Sequence, residues 1–326
     1  MILLIIALAL TFDFLNGFHD SSNVVATPIS SNAMRPRTAL LLAAISEGAA
    51  PFLFGVAVAT TIGDDLLRVE VLSLQAIAAA LASAIAWNLI TWYVGIPSSS
   101  SHALVGGLVG AAVLAEGFDS IQVEGLIRVL AALLLSPPLG MAAGYLTMRL
   151  VLRLVSGAGP GVNTLFRRGQ ILTLTGLALS HGTNDAQKTM GVITMALVAA
   201  GRLDTFHVPG WVIAASAGAI ALGTFFGGWR LIRTLGGKIY RIRPVHALAS
   251  QVSSGGVILG AALLGGPVST TQVMSSSIMG VGAADRVNMV RWGILRDMAT
   301  AWVLTIPVTA VLGGIVYLLL ATVMSM

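Results

Sequence analysis

The chain has 326 residues, of which 56% are hydrophobic and only 10% charged, and it carries a formal net charge of +5. Soluble domains carry about 25% charged residues, so the composition excludes a water-soluble fold and points to a lipid bilayer. With no cysteine, disulfides, thiolate metal sites and a thiol nucleophile are excluded as well.

Residues 1–11 form an apolar run with no basic residue before it and no small-residue cleavage pattern after it, so they open a first membrane helix rather than a secretory signal. The run continues into Asn16-Gly17-Phe18-His19-Asp20-Ser21-Ser22-Asn23. A glycine followed by small polar residues predicts a helix interrupted in mid-membrane, where bare carbonyls survive only by lining a cavity or holding a ligand. A carboxylate in hydrocarbon is a functional candidate by default. Asp20 is the first, Asp13 lies seven residues earlier on the same helical face, and Glu47 falls in the next apolar stretch, 38–62. The stretches 72–94, 126–152, 212–231 and 298–323 are also long enough to span.

The basic residues sit in short loops, which opposes a nucleic-acid partner and fits the positive-inside rule. Arg35 and Arg37, then Arg149, Arg153, Arg167 and Arg168, then Arg230, Arg233, Lys238, Arg241 and Arg243 mark cytoplasmic loops. Asp64, Asp65 and Glu70, and Glu116, Asp119 and Glu124, mark loops on the other side. Counting spans back from the 149–168 loop places the N-terminus outside.

Gly95-Ile96-Pro97-Ser98-Ser99-Ser100-Ser101-His102 pairs a proline with a run of hydroxyls before an apolar helix. Proline suits an opening helical turn, and a helix N-terminus with hydroxyl donors is an anion site. Both strings recur. Gly182-Thr183-Asn184-Asp185-Ala186-Gln187-Lys188 matches the aspartate string with a shift of 165 (185 − 20), and Pro267-Val268-Ser269-Thr270-Thr271-Gln272 matches the hydroxyl string with a shift of 170 (267 − 97). The near-equal shifts imply duplication of a whole half: a first transmembrane repeat over 1–155, a basic cytoplasmic linker over 156–170, and a second repeat over 171–326.

The expected fold is an all-α integral membrane protein, an inverted-repeat secondary transporter with broken and re-entrant helices and its site at the midplane. Ser99, Ser100, Ser101, Ser269, Thr270 and Thr271 would surround a tetrahedral oxyanion, with Asp20 and Asp185 accepting its hydroxyl proton, a feature that favours phosphate over sulfate. The coupling set is Asp20, Asn23, Asn184, Asp185, Lys188 and Glu47, with sodium at Asp20, Asn23 and Asp185, or a proton on a carboxylate in its place.

Asn16-Gly17-Phe18-His19-Asp20, Trp87-Asn88-Leu89 leading to the first hydroxyl string, Ser180-His181-Gly182-Thr183-Asn184-Asp185 and Pro267-Val268-Ser269-Thr270-Thr271 together give the chain its family likeness. It resembles the inorganic phosphate transporter family often called Pit, over essentially its full length. The resemblance implies phosphate held by the two hydroxyl motifs, cations held by the aspartate motifs, alternating access, and a homodimer in the cell membrane with no cofactor beyond sodium or proton. Some members carry sulfate.

The chain departs from the family pattern at His19 against Asn184, at Lys188 against Asn23, at Gln272 against His102, and at Gln251, where many relatives have Glu. Lys188, three residues after Asp185, is in reach of it on a helix and could stand in for a bound cation; the alternative is a lysine that snorkels to an interface. An intramembrane hydrolase built on Ser101 and His102 is opposed by geometry, since adjacent helical residues point about 100° apart. A channel would need a continuous polar path.

Overall fold

The computed structural model describes every residue except Pro97, Lys238, Ser325 and Met326, with the side chains of Glu70, Arg230 and Met324 also left aside. The expectations for Pro97 and Lys238, and for the side chains of Glu70 and Arg230, therefore lie outside the described residues. Among the described residues there is no strand, and one isolated bridge joins Leu67 to Ile121. The first half contains α1 (Ile2–Ser30), α2 (Pro36–Ala49), α3 (Ala57–Thr60), α4 (Leu74–Val94), α5 (Ser100–Glu116) and α6 (Val123–Leu154). The second contains α7 (Val162–Ala199), α8 (Gly210–Phe226), α9 (Trp229–Gly237), α10 (Pro244–Leu263), α11 (Thr270–Asp285) and α12 (Trp292–Met324). The segment 156–170, read as a linker, is non-helical only as far as Gly161.

Packing repeats as the sequence does. Helix α1 lies on α8 as α7 lies on α2; α6 lies on α11 as α12 lies on α5; α1 meets α4 as α7 meets α10. Each half is thus completed by helices of the other. Small residues allow this: a Cβ on Gly140 or Gly144 of α6 would fall 2.6 Å from the Val273 carbonyl oxygen or 2.4 Å from that of Ser277, and one on Gly280 of α11 would fall 2.1 Å from that of Met141. Such close backbone contact is the usual basis of helix association in lipid.

Among the described residues, five helices are long and apolar enough to cross a bilayer. The stretch 38–62 is not a single straight span. It divides into α2 with a 3₁₀ turn (Ala50–Phe52), and α3 with a π turn (Thr61–Asp65), bent by 72°. Gly55, at φ 77°, sits in the break. The amides freed there are taken by Gln187, whose Oε1 accepts from Val58 N at 2.8 Å and from Ala59 N at 3.3 Å, while its Nε2 donates to the Gly55 carbonyl at 2.8 Å. The stretch 212–231 breaks likewise at Gly227 and Gly228, where Gly228 N donates to Ser21 Oγ at 2.9 Å. Breaks survive here because polar side chains replace the lost helical partners.

The expected interruptions at Gly17 and Gly182 do not occur, since α1 and α7 run through both positions. The glycines serve approach instead. A Cβ on Gly17 would lie 2.3 Å from the Ile220 carbonyl oxygen on α8, and one on Gly182 would lie 2.5 Å from that of Glu47 on α2. This close crossing puts Asp20 and Asp185 one turn further along, inside the protein. Many polar side chains are buried around them, whereas α6 and α12 turn residues such as Leu134 and Val303 outward.

Candidate functional site

The ends of α5 and α11 are built alike. Ser99 caps α5, its Oγ accepting from His102 N at 3.2 Å, and Ser269 caps α11, accepting from Gln272 N at 3.3 Å. Pro267 precedes its cap by two residues and does not open the helix as expected; a serine side chain does that work. The next hydroxyls converge on the two aspartates. Ser100 donates to Asp20 Oδ2 at 3.3 Å, Thr270 to Asp20 Oδ2 at 3.5 Å and to Asp185 Oδ2 at 3.1 Å, and Thr271 to Asp20 Oδ1 at 2.9 Å. Helix N-termini from both halves therefore meet the buried carboxylates of α1 and α7 at one place.

The two halves differ in what answers each carboxylate. Asn23 Nδ2 donates to Thr271 Oγ1 at 3.0 Å, so Asp20 is reached from Asn23 through a hydroxyl. Lys188, at the equivalent position, donates to Asp185 Oδ1 at 2.5 Å, to Ser101 Oγ at 2.6 Å and to the Val268 carbonyl at 3.1 Å. Lys188 is 1% exposed, which rules out the snorkelling alternative. Its ammonium nitrogen is held by these three oxygens.

Around Asp20 the oxygens are differently placed. Asn23 Oδ1 is buried with no hydrogen-bond partner, while its Nδ2 is turned to the Thr271 hydroxyl that donates to Asp20. His19 Nδ1 lies 2.8 Å from Asp20 Oδ1. Asn184, its counterpart, instead donates to the Gly266 carbonyl at 3.1 Å and steadies the approach to α11.

Glu47 lies one step out from this centre, fully buried on α2, where the Thr224 hydroxyl donates to its Oε2. His181 stands between Glu47 and the centre, Nδ1 3.1 Å from Glu47 Oε1 and Nε2 3.2 Å from Asp185 Oδ2. Asp20, His181 and Asp185 offer ligand atoms all within 4.8 Å of one another. His181, Thr224 and the Val268 carbonyl are site members that the sequence reading did not assign. The spacing of His181 to Asp185, i to i+4 on a helix, was a usable signal; Thr224 and a backbone carbonyl gave none.

His102 and Gln272 occupy equivalent positions and face each other across the halves, Nε2 to Nε2 at 3.4 Å. The other ring nitrogen of His102 is 2.7 Å from Ser99 Oγ, so the ring is turned to the helix cap and not to Ser101. Gln251 Nε2 donates to Thr27 Oγ1 at 3.1 Å, and the Thr173 hydroxyl donates to Gln251 Oε1.

Apolar outer helices around a buried polar centre define an integral membrane protein of the solute-carrying class. The chain belongs to the phosphate transporter family, whose pattern matches residues 16–313. It is 45% identical over 322 residues, covering 98% of this chain and 96% of the other, to a Bacillus subtilis protein named as a probable low-affinity inorganic phosphate transporter. A Rhizobium meliloti protein of the same name is 43% identical over 315 residues, with coverage of 96% and 94%. Among solved structures, one named "The sodium-dependent phosphate transporter" matches with a TM-score of 0.89 at 24% identity, covering 98% of this chain and 99% of its own, a likeness of fold. These relatives are transporters, not enzymes.

Proposed function

We propose that the chain carries inorganic phosphate across the cell membrane by cation-coupled symport. The observation that carries this reading is the convergence of Ser100, Thr270 and Thr271 on Asp20 and Asp185. Hydroxyls and free amides at two helix N-termini donate to an oxyanion, while the carboxylates accept from its P–OH group. Sulfate offers no such donor near neutral pH. The names of the bacterial relatives support the same substrate.

Coupling follows from charge. Among the groups that meet the hydroxyl motifs directly, Asp20 and Asp185 carry two formal negative charges and Lys188 one positive, a sum of −1 before an anion enters. A phosphate mono- or dianion brings it to −2 or −3, which a low-dielectric site does not tolerate unless cations enter as well. The first-half set of Asp20, Asn23 and Thr271 would hold one such cation. Sodium suits its oxygens, and the similar solved protein is named for its sodium dependence. In the second half Lys188 already occupies the corresponding place.

The halves are inverted relative to each other in this proposal, and loop charge supports it. The loops joined at Leu67 and Ile121 carry Asp64, Asp65, Asp119 and Glu124. Their second-half equivalents, joined where Arg291 N donates to the Ile239 carbonyl at 3.3 Å, carry Arg241, Arg243, Arg286 and Arg291. Arg68 stands in the first pair of loops against four arginines in the second, and it is this Lys/Arg bias that distinguishes opposite membrane faces. The family resemblance extends the proposal to alternating access by a homodimer, which cross-linking in native membranes tests.

The deciding experiment is uptake of labelled phosphate by reconstituted liposomes under imposed sodium and proton gradients in turn. Saturable uptake, accelerated by phosphate inside and resistant to sulfate, is expected. Equal competition by sulfate moves the chain to a sulfate carrier, and non-saturable flux moves it to a channel.

A further inference from the structure

Asp13 lies two turns along α1 from Asp20, about 10 Å at the helical rise, fully buried in a helix long enough to span the bilayer. Neither carboxylate oxygen has a hydrogen-bond partner. The groups acting on it are the Thr189 hydroxyl and the charges of Asp185 and Lys188 on α7 and of Glu47 on α2. Of the other helices packed on α1, α8 has no titratable residue. Helix α4 offers Tyr93 and α9 offers Arg233, both exposed, and His246 of α10 is tied to Asp285 of α11 at 3.2 Å.

Lys188 looks like the natural partner, but an ammonium has three donors and all three are engaged, by Asp185, Ser101 and Val268. None remains for Asp13, and Asp185 and Glu47 add negative charge beside it. With one neutral hydroxyl, that of Thr189, to serve as donor and no cation free to pair with it, an ionised carboxylate is far more costly inside a membrane than the neutral acid.

The repeat gives this carboxyl a meaning. Shifted by 165, position 13 corresponds to Ala178 (13 + 165), just as Asn23 corresponds to Lys188. Two departures from the duplication thus fall in one neighbourhood, one adding a positive charge and the other a potential negative charge. With Asp13 ionised, Asp13, Asp185 and Lys188 sum to −1, the charge that Asp20 alone gives the first half.

We propose that Asp13 is a proton-binding site of the transport cycle, returning to the second half the coupling cation that Lys188 displaces. This rests on the transport reading above. The carboxylate takes one proton from water on one side of the membrane, crosses the cycle as the neutral acid and gives the proton to water on the other side; no other bond forms or breaks.

The test uses the full-length protein in liposomes with labelled phosphate, measuring phosphate–phosphate counterflow, which needs no proton gradient, and accumulation driven by an imposed pH difference. Asp13→Asn is expected to lose pH-driven accumulation while counterflow falls far less, and Asp13→Glu to keep both. Wild-type pH-driven accumulation by Asp13→Asn overturns the proposal, as does wild-type counterflow without any pH-driven accumulation. Absence of wild-type counterflow overturns the transport reading instead. Infrared spectra of the protein in membranes then decide on Asp13 without transport: a protonated carboxyl band in the wild type, missing in Asp13→Asn and shifted in Asp13→Glu, supports the site, and no such band overturns it.

Discussion

The Asp20 and Asp185 regions share a backbone plan and differ in charge. Both aspartates sit one turn after a glycine that permits a close helix crossing, and both accept from the serine-capped α11, Asp20 from Thr270 and Thr271 and Asp185 from Thr270, while Asp20 also accepts from Ser100 of the serine-capped α5. Asn23 and Lys188 then address equivalent hydroxyls, Thr271 and Ser101. The two regions thus match in backbone and differ by an amide at Asn23 against an ammonium at Lys188, a difference of one charge that leaves the helix crossings alike.

The largest expected difference between the regions is electrostatic. Asp185→Asn leaves the Lys188 ammonium buried without its counterion and is expected to cost about 3–5 kcal/mol of stability, whereas Asp20→Asn loses hydrogen bonds to a charged group, about 1.5–3 kcal/mol. Thermal unfolding of the purified protein in detergent compares them, and equal losses would mean that the halves are electrostatically alike. Ser100→Ala and Thr270→Ala probe what the halves share. Each is expected to weaken apparent phosphate affinity by about 1.5–3 kcal/mol, because each removes a hydrogen bond to an ion; unchanged affinity in both, at normal expression, would return the hydroxyls to helix packing.

Gly17→Ala and Gly182→Ala are expected to destabilise by similar amounts, about 1–3 kcal/mol, because both crossings would be overpacked. A loss at one position only would show that the crossings are not equivalent. The smallest effect belongs to Arg128, whose guanidinium lies 2.9 Å from Glu124 at the surface of α6. With Arg128 57% and Glu124 87% exposed, Arg128→Ala is expected to cost under about 1 kcal/mol and to leave uptake unchanged. Its contrast with the Lys188–Asp185 pair isolates burial as the cause.

Much of this was legible in the sequence. The repeated aspartate and hydroxyl strings located the centre, and the spacing of Asp185 and Lys188 anticipated their contact. The misreadings at Gly17 and Gly182 share one physical source: glycine near a polar string reads equally as a helix break and as a close crossing, and only the partner helix decides. At Gly17 and Gly182 the partner is a backbone carbonyl, so the helix continues; at Gly55 and Gly227 side chains from α7 and α1 take up the freed groups, so it breaks. Gln187 and Ser21 do that from the other half, a relation local patterning does not encode. Thr224 and the Val268 carbonyl reach the site the same way, across the repeat boundary.

If Lys188 stands in for a bound cation, the number of sodium ions entering per phosphate in liposomes, wild type against Lys188→Asn, reads that substitution directly. Restoring the amide found at Asn23 recreates the first-half arrangement around Asp185. A higher sodium-to-phosphate ratio and a steeper sodium dependence are predicted for Lys188→Asn. Wild-type rate together with the wild-type ratio would contradict the stand-in role.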